Sequence, residues 1–393
     1  MTEVFIVAGV RTAIGTFGGS LKDTPPADLG ALVAREAVKR SGVEAKDIGH
    51  VVFGQVIHTE PRDMYISRVV AVNAGIPVET PALTVNRLCG SGLQAVVSSA
   101  QAIKLGDCEI ALAGGAESMS RAPYATQAMR FGARMGDTAM VDMMTGALND
   151  PFNRYHMGVT AENIAERYGV SREDQDALAV ESHRRASAAI KAGYFKDQIV
   201  GVELKSRKGT VTFAEDEHVR HDSSIDDLRG MKPVFKKEGG TVTAGNASGI
   251  NDGAAALMLA SEAAVKKGGL KPLARLVGYA HAGVDPAYMG IGPVPATKAV
   301  LARTGLNLSQ IDVIEANEAF AAQACAVSRQ LEFDPAKVNP NGSGISLGHP
   351  VGATGAIIAV KLVHELARTG SRYGLATMCI GGGQGIALVF ERV

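Results

Sequence analysis

The segment Ala82-Leu83-Thr84-Val85-Asn86-Arg87-Leu88-Cys89-Gly90-Ser91-Gly92 decides the fold, because it joins a strand pattern to a helix pattern through a small-residue turn. The apolar residues of 93–105 continue it as a helix, which stops at Gly106-Asp107. A strand pattern over 109–113 and a pair of glycines, Gly114-Gly115, come next. Strand, turn, helix and strand in this order predict one unit of an α/β layered fold.

The same order of elements occurs a second time along the chain. Residues 352–385 again read as a glycine-rich turn, a helix, a strand and a run of glycines, as 90–118 do. A second pair matches 40–51 with 303–314, where a helix stops at a glycine and a short polar turn leads into a buried strand. Single βα units resemble one another in any α/β protein, but two matching pairs favour a duplicated chain with two similar halves.

Residues 121–249 separate the two halves and differ from them in character. They include a helical run at 161–192, whose second part has capping residues near its start at Ser171. Because this stretch keeps apolar periodicity, it indicates an inserted loop-rich domain and not a linker. The predicted division is an N-terminal half at 1–120 completed by 250–270, the inserted loop domain at 121–249, and a C-terminal half at 271–393.

The charge balance, the apolar runs and the placement of the cysteines exclude several classes of protein. The 40 basic and 40 acidic side chains balance, so no net field attracts nucleic acid or an anionic membrane. No apolar run reaches the length of a membrane span, and we see no signal-peptide pattern. The cysteines are isolated from one another, which suits a reducing compartment; they are Cys89, Cys108, Cys325 and Cys379. We therefore expect a cytoplasmic protein with no nucleic-acid or membrane partner.

Cys89 is the first candidate for chemistry. Its place just before a helix favours the thiolate, because the helix N-terminus carries partial positive charge and free N–H groups. A cysteine is more often a buried structural residue, but the Gly-Ser-Gly context favours a nucleophile. The same turn fits the loose pattern Gly90-x-Gly92-x-x-Ala95, with Glu117 beyond the next strand, so a dinucleotide-binding site is the main alternative.

Three further residues lie in turns at strand ends or before a helix. His349 stands between a glycine and a proline, where its ring can be aimed as a base. Cys379 ends a strand before a run of glycines, and Asn317 follows another strand. These residues suit a reaction in which one thiolate attacks a carbonyl carbon and a second group moves a proton. Metal binding fits worse, since His349 and the two cysteines have no recognised ligand spacing, and we predict no metal site.

These motifs resemble the thiolase family, over essentially the whole chain. The resemblance implies the duplicated, five-layered αβαβα thiolase fold with its inserted loop domain, and a homotetramer built as a dimer of dimers. The motifs are Asn86-Arg87-Leu88-Cys89-Gly90-Ser91-Gly92, His156-Met157-Gly158-Val159-Thr160-Ala161-Glu162-Asn163, Ala244-Gly245-Asn246-Ala247-Ser248-Gly249, Asn317-Glu318-Ala319-Phe320, Gly348-His349-Pro350 and Cys379-Ile380-Gly381-Gly382-Gly383.

The resemblance also implies a role for each matching residue. Cys89 carries the acyl group as a thioester, His349 activates it, and Cys379 moves the proton at C2 of acetyl-CoA. One oxyanion hole comprises His349 and a water held by Asn317. A second uses the backbone N–H groups of Cys89 and Gly381. Removing one such donor costs about 3 kcal/mol of transition-state stabilisation.

Coenzyme A is implied to lie on the inserted domain, as a substrate, with no further cofactor. Arg220 is implied to contact its phosphate or adenine, although a solvated charge is the plainer interpretation. The implied CoA contacts are Leu148, His156, Met157, Arg220, Phe235, Ala244 and Ser248, and the inner pocket is implied to be lined by Met289, Ala319 and Phe320.

One stretch departs from the common pattern of short-chain acetoacetyl-CoA thiolases. His58-Thr59-Glu60-Pro61-Arg62-Asp63-Met64-Tyr65 replaces a segment of small residues and resembles the bacterial β-ketothiolase branch, which also accepts longer 3-ketoacyl chains. The resemblance therefore implies acetyl-CoA, 3-ketoacyl-CoA and CoA as partners. The alternatives are a strict acetoacetyl-CoA thiolase, a condensing enzyme without the second cysteine, a non-catalytic acyl-CoA binder, and a dinucleotide-binding oxidoreductase.

Overall fold

The computed structural model describes residues 2–207 and 209–393. The strands are β1 (Val4–Arg11), β2 (Gly15–Thr16), β3 (His50–Gly54), β4 (Ala82–Val85), β5 (Ile110–Ser118), β6 (Tyr124–Ala125), β7 (Val141–Asp142), β8 (Val202–Ser206), β9 (Gly209–Phe213), β10 (Asn251–Ser261), β11 (Ala274–Gly283), β12 (Val313–Ala316), β13 (Tyr373–Ile380) and β14 (Gln384–Arg392). The α-helices are α1 (Pro26–Ser41), α2 (Ile66–Asn73), α3 (Ser91–Leu105), α4 (Met143–Ala147), α5 (Met157–Tyr168), α6 (Arg172–Ala192), α7 (Ile225–Arg229), α8 (Glu262–Gly268), α9 (Pro293–Thr304), α10 (Ala321–Leu331), α11 (Gly344–Leu347) and α12 (Val351–Thr369).

The main sheet consists of two similar halves joined along one seam. Its strand order is β12-β13-β14-β11-β1-β10-β5-β3-β4, with β2 beside β10. The seam is short, since β1 pairs with β11 only through Phe5–Arg275 and Ile6–Ala274. In the N-terminal half β3 pairs in parallel with β4, and in the C-terminal half Ile314 of β12 makes a single parallel bridge to Val338. The bridge at Val338 therefore takes the place in the C-terminal half that strand β4 has in the N-terminal half.

Helices cover the sheet on the outside and fill the space between its halves. Helices α3 and α12 pack against each other, and α12 contacts strands of both halves. Helix α1 covers the outer face of β1, β5 and β10, while α9 covers β11, β13 and β14. The two inner helices can approach this closely because position 92 is a glycine. A Cβ on Gly92 would overlap the backbone nitrogen of Ala356. This arrangement gives the predicted five layers, helix–sheet–helix–sheet–helix.

The repeat predicted from the sequence is present in the backbone. Helix α1 ends at Gly42 and α9 ends at Gly305, each with a φ of 71° in the left-handed region. A short 3-10 turn follows in both places and leads into β3 or β12. Ile48 and Ile311 occupy the same place in the two copies and are buried. Glycine is required at both helix ends because an L side chain is strained at positive φ.

Two element boundaries differ from the sequence prediction. Strand β5 does not stop at Ala113 but runs through Gly114-Gly115 to Ser118. The glycines are needed inside the strand, because a Cβ on Gly115 would overlap the carbonyl oxygen of Gly352 in α12. The run 161–192 belongs to two helices separated at Gly169. The predicted cap of the second is confirmed, since Ser171 and Asp174 form a capping box.

The segment between β5 and β10 holds four helices, α4 to α7, and two small two-stranded sheets. After it, β10 returns to the main sheet and pairs with both β1 and β5. Boundaries at 121 and 249 stay a prediction. Across residues 2–207 and 209–393, no helix combines the length and apolar character that a bilayer crossing requires.

Candidate active site

The turn that carries Cys89 has a strained backbone held by its own side chains. Leu88 adopts a φ of 44°, in the left-handed region, which costs a non-glycine residue about 1–3 kcal/mol. Asn86 Oδ1 accepts the N–H of Leu88 at 2.9 Å. The Ser91 hydroxyl donates to the Leu88 carbonyl at 2.6 Å and accepts the N–H of Arg87 at 2.9 Å. The turn therefore holds Cys89 in one position between β4 and α3.

The imidazole of His349 is fixed in orientation and in tautomer. Its backbone N–H donates to Asn251 Oδ1 at 2.9 Å, after Gly348 with a φ of 111°. Its Nδ1 lies 2.6 Å from the Thr354 hydroxyl, which donates its only proton to the Pro350 carbonyl at 2.9 Å. This arrangement favours the tautomer with the proton on Nδ1 and a free lone pair on Nε2. Burial lowers the pKa of His349 to about 4, so the ring is neutral at physiological pH and can accept a proton.

Most of the predicted site residues line a single cavity of about 330 Å³. The proposed chemical groups and the implied CoA contacts lie on its wall together. Its lining includes Cys89, His349, Cys379, Gly381, Leu148, His156, Met157, Phe235, Ala244, Ser248, Met289, Ala319 and Phe320. Apolar groups dominate the rest of the wall, which suits an acyl chain and a largely uncharged pantetheine arm.

Asn317 lies behind this cavity and does not line it. It follows β12, is 1% exposed, and neither atom of its side-chain amide has a hydrogen-bond partner among the described residues. A small void touches it, together with Gly348 and Thr354 beside the catalytic candidate His349. A buried amide with free donors and acceptors is able to hold a water there.

Arg220 also lies away from the main cavity. Its side chain is exposed and borders a separate surface depression with Arg184, Lys191 and His221. This depression is rich in basic groups, as a binding site for phosphate requires. The contact of Arg220 with the nucleotide end of CoA stays a prediction.

The two thiols in the cavity influence each other electrostatically. Burial raises the pKa of Cys89 to about 11, although the backbone N–H groups of Gly381 and of Cys89 itself oppose the rise. The N–H groups of the turn do favour the thiolate, as predicted from the sequence, but desolvation outweighs them and the net pKa rises. Burial also raises the pKa of Cys379, and negative charge on Cys89 raises it further. The site thus resists two thiolates at once.

The glycine at position 381 brings a backbone N–H group to the sulfur of Cys89. A Cβ on Gly381 would press against the side chains of Met157 and Leu88, at 3.0 and 3.1 Å. An alanine there would need the flexible ends of these two side chains to move by a few tenths of an ångström. The geometry is that of an anion-binding pair of N–H groups, formed by Cys89 and Gly381.

The structure argues against the dinucleotide-binding alternative, because the acidic residue that this site would need, Glu117, is already bonded. Glu117 is fully buried and accepts the backbone N–H groups of Val56, Ile57 and Gly352. Its carboxylate is therefore not free to bind a ribose. In the described ranges, no group of three or more His, Cys, Asp or Glu is arranged to hold a metal ion.

Sequence reasoning missed the residues that support the site. Asn251 lies 98 positions before His349, so no local spacing connects the two. Thr354 lies five positions after His349, and a hydroxyl one helical turn beyond a catalytic His is a signal that could have found it. Glu117 was considered only as part of the dinucleotide pattern, and its bonds to Val56, Ile57 and Gly352 were not predicted.

Comparison with known proteins agrees with this geometry. Residues 4–263 match the family model described as thiolase, N-terminal domain, and residues 270–392 match thiolase, C-terminal domain. A protein named beta-ketothiolase BktB from Cupriavidus necator is 70% identical, with 100% of this chain and 99% of the relative covered.

Solved structures match along the full chain. The crystal structure of the Bacillus anthracis acetyl-CoA acetyltransferase superposes with a TM-score of 0.98 at 48% identity, covering 100% of this chain and 99% of that one. Human mitochondrial 3-ketoacyl-CoA thiolase in complex with CoA superposes with a TM-score of 0.96 at 46% identity, covering 100% and 98%. The chain therefore belongs to the thiolase family and is an acyltransferase.

Proposed function

We propose that the protein is a β-ketothiolase, which thiolyses 3-ketoacyl-CoA with CoA and runs the reverse Claisen condensation of acetyl-CoA with an acyl-CoA. The observation that carries the proposal is the meeting of Cys89, His349, Cys379 and the Gly381 backbone in one apolar cavity. The 70% identity to the protein named beta-ketothiolase BktB supports the substrate class.

Thiolysis begins at Cys89. The thiol proton passes to Nε2 of His349 as the sulfur attacks the C3 carbonyl of the 3-ketoacyl-CoA. The N–H groups of Cys89 and Gly381 receive the oxyanion that forms. The C2–C3 bond then breaks, Cys379 gives its proton to C2, and acetyl-CoA leaves. The proton on His349 then returns to Cys379. CoA gives its thiol proton to Nε2 of His349 and attacks the acyl group on Cys89, and the Cys89 sulfur leaves and recovers that proton as the shortened acyl-CoA is released. The mechanism is therefore ping-pong.

The coupling between the two sulfurs gives these steps an order. A negative charge on Cys89 raises the pKa of Cys379, so Cys379 keeps its proton while Cys89 is a thiolate. Acylation removes that charge. Cys379 then loses its proton more readily, which is the state that condensation requires to take the proton from C2 of acetyl-CoA.

The second oxyanion hole involves His349 and Asn317. The free amide of Asn317 supports a role in holding a water beside the ring. Once the ring has taken up a proton at Nε2, its Nε2–H or the water donates to the enolate oxygen of acetyl-CoA. The Thr354 contact keeps Nε2, and not Nδ1, available for this.

The CoA arm is proposed to follow the wall formed by the inserted segment. His156 and Phe235 stack there with ring centroids 4.6 Å apart, and Phe320 meets Phe235 edge-on at 6.3 Å. This aromatic cluster gives the pantetheine a rigid apolar surface. Arg220 and its basic depression are proposed for the nucleotide end. CoA is a substrate, and the proposed chemistry requires no cofactor or metal.

His349→Ala is expected to slow alkylation of Cys89 by iodoacetamide at pH 7 by about 100-fold, the usual contribution of a general base. The pKa of His349, lowered to about 4, keeps the neutral base present at and above neutral pH. The wild-type advantage should disappear only as the pH falls toward 4. His364→Ala is the matched control, because that ring lies on α12 and bonds only the Gly9 carbonyl. An unchanged alkylation rate in His349→Ala contradicts the assigned role.

The substrate range is tested by CoA-dependent thiolysis of 3-ketoacyl-CoA substrates from four to ten carbons. Loss of the enolate absorbance gives the rate. We expect cleavage beyond four carbons, because the cavity wall is apolar and each added methylene gains about 1–3 kcal/mol where it fits. Activity on the four-carbon substrate alone would establish the alternative, a strict acetoacetyl-CoA thiolase. No activity on any chain length contradicts the proposed function.

The proposal includes a cytoplasmic homotetramer. Between β6 and β7 the side chains of Met129, Phe131 and Met135 are 61%, 89% and 97% exposed. So much exposed apolar surface on one segment supports its burial against another copy of the chain. The isolated thiols favour a reducing compartment.

A further inference from the structure

Glu117 is a buried carboxylate that joins three backbone segments. It lies near the end of β5 and is fully buried. Its Oε2 accepts the N–H of Val56 at 3.0 Å and the N–H of Gly352 at 2.9 Å, and its Oε1 accepts the N–H of Ile57 at 3.1 Å. The contacts connect the residues after β3 with the first turn of α12.

The N-terminus of α12 depends on this carboxylate. The helix begins after Pro350, which makes no side-chain cap, so its first N–H groups need acceptors from elsewhere. Glu117 supplies an acceptor at this helix end, through the bond from the Gly352 N–H to its Oε2. The contact needs only that bond and no charge, since burial raises the pKa of Glu117 to about 8. Gly352 makes the approach possible, because a Cβ there would lie 2.5 Å from Oε2.

The same helix turn carries the active-site base. His349 precedes Gly352 by three residues, and its ring is bonded to Thr354 inside α12. Val56 and Val351 both line the substrate cavity. The hydrogen bond between Glu117 and the first turn of α12 therefore determines where the His349 ring lies relative to Cys89. In its ionised form Glu117 also raises the pKa of the Cys89 thiol, so the two groups lie within electrostatic reach of each other.

We propose that Glu117 is a positioning residue for acyl transfer. It caps α12, and so holds His349 and the cavity-lining residue Val56 at the distances from Cys89 that the reaction requires. The inference rests on the proposed function. Glu117 does not line the cavity and touches no substrate. Its effect passes through the backbone of Val56, Ile57 and Gly352.

The test is Glu117→Gln in the full-length enzyme, assayed by thiolysis. The amide oxygen can replace Oε2, but the NH₂ group then faces the N–H of Ile57, so one bond becomes a donor–donor contact. A shift of α12 of up to about 1 Å should lower kcat about 10- to 100-fold, because misplacement of a catalytic group by about 1 Å can cost two orders of magnitude. KM for CoA and substrate should stay within about threefold, since no binding contact is removed.

Glu365→Gln is the matched control. Glu365 is another buried carboxylate, it lies in the last turns of α12, and it bonds Asn341 and Arg368. This variant should lower Tm without lowering kcat. The inference is overturned if Glu117→Gln keeps wild-type kcat, or if its kcat falls no more than that of Glu365→Gln.

A second variant keeps the inference testable if Glu117→Gln does not fold. Gly352→Ala presses a methyl group against Oε2 from the helix side and should give the same fall in kcat with KM preserved. Wild-type kcat in Gly352→Ala overturns the inference. An inactive wild-type enzyme would instead contradict the proposed function, so the two failures are distinguishable.

Discussion

Cys89→Ala is expected to lose thiolysis and condensation together, with a fall in kcat of about six orders of magnitude, as when a covalent nucleophile is removed elsewhere. The sulfur is the only group in the described part of the cavity wall that receives N–H groups from both Cys89 and Gly381. No other group can take its place, since Cys379 carries an even more strongly raised pKa. The measurement combines the enolate assay with intact mass after incubation with acetyl-CoA.

Cys108→Ala is the control for that result. Cys108 is half-buried outside the cavity, and its pKa is raised to about 11, as that of Cys89 is. It should keep wild-type turnover and gain one acetyl group in the mass spectrum. An acetyl adduct on the Cys89→Ala protein, or activity within tenfold of wild type, contradicts the assignment of the nucleophile.

Cys379→Ser is expected to divide the reaction into its halves. The serine hydroxyl is too weak an acid to exchange the C2 proton, so condensation and thiolysis should fall about 1,000-fold, within the usual range for a general acid–base group. Acylation of Cys89 by acetyl-CoA does not use that proton and should persist. Exchange of labelled CoA into acetyl-CoA measures the surviving half.

Cys325→Ser is the matched control for Cys379→Ser. Cys325 lies on α10, and its sulfur donates to the Asp174 carbonyl outside the main cavity. It should leave both exchange and condensation unchanged. Equal loss of exchange and condensation in Cys379→Ser would contradict the proposed division of labour between the two cysteines.

The residues that carry chemistry were predictable because each belongs to a local pattern. Cys89 and His349 lie immediately before helices, and Cys379 lies at the end of a strand, so a few neighbouring residues reveal each setting. The helix ends at Gly42 and Gly305 were predictable for the same reason, since a single residue determines them.

The support of the site was not predictable, because it depends on residues distant in sequence. Asn251 and Glu117 bond to the start of α12 from β10 and β5. The strand pattern predicted for β5 stops at 113, and the close backbone of Gly352 explains why the strand continues through the glycines that follow. The pKa of Cys89 was also not predictable from the sequence, because no motif reveals how deeply the thiol is buried, and burial outweighs the N–H groups that favour the thiolate.

The duplication gives the catalytic pair a common origin in the backbone. Cys89 precedes α3 by two residues, and His349 precedes α12 by two residues, so the nucleophile and the base occupy equivalent positions of the two copies. The helices touch at Gly92 and Gly355. In the proposed mechanism, the turn of one copy supplies the nucleophile and the turn of the other supplies the base. If either helix shifts along the other, Cys89 moves relative to His349. A substitution at the contact between α3 and α12 in one half is therefore constrained by the residues of the other half.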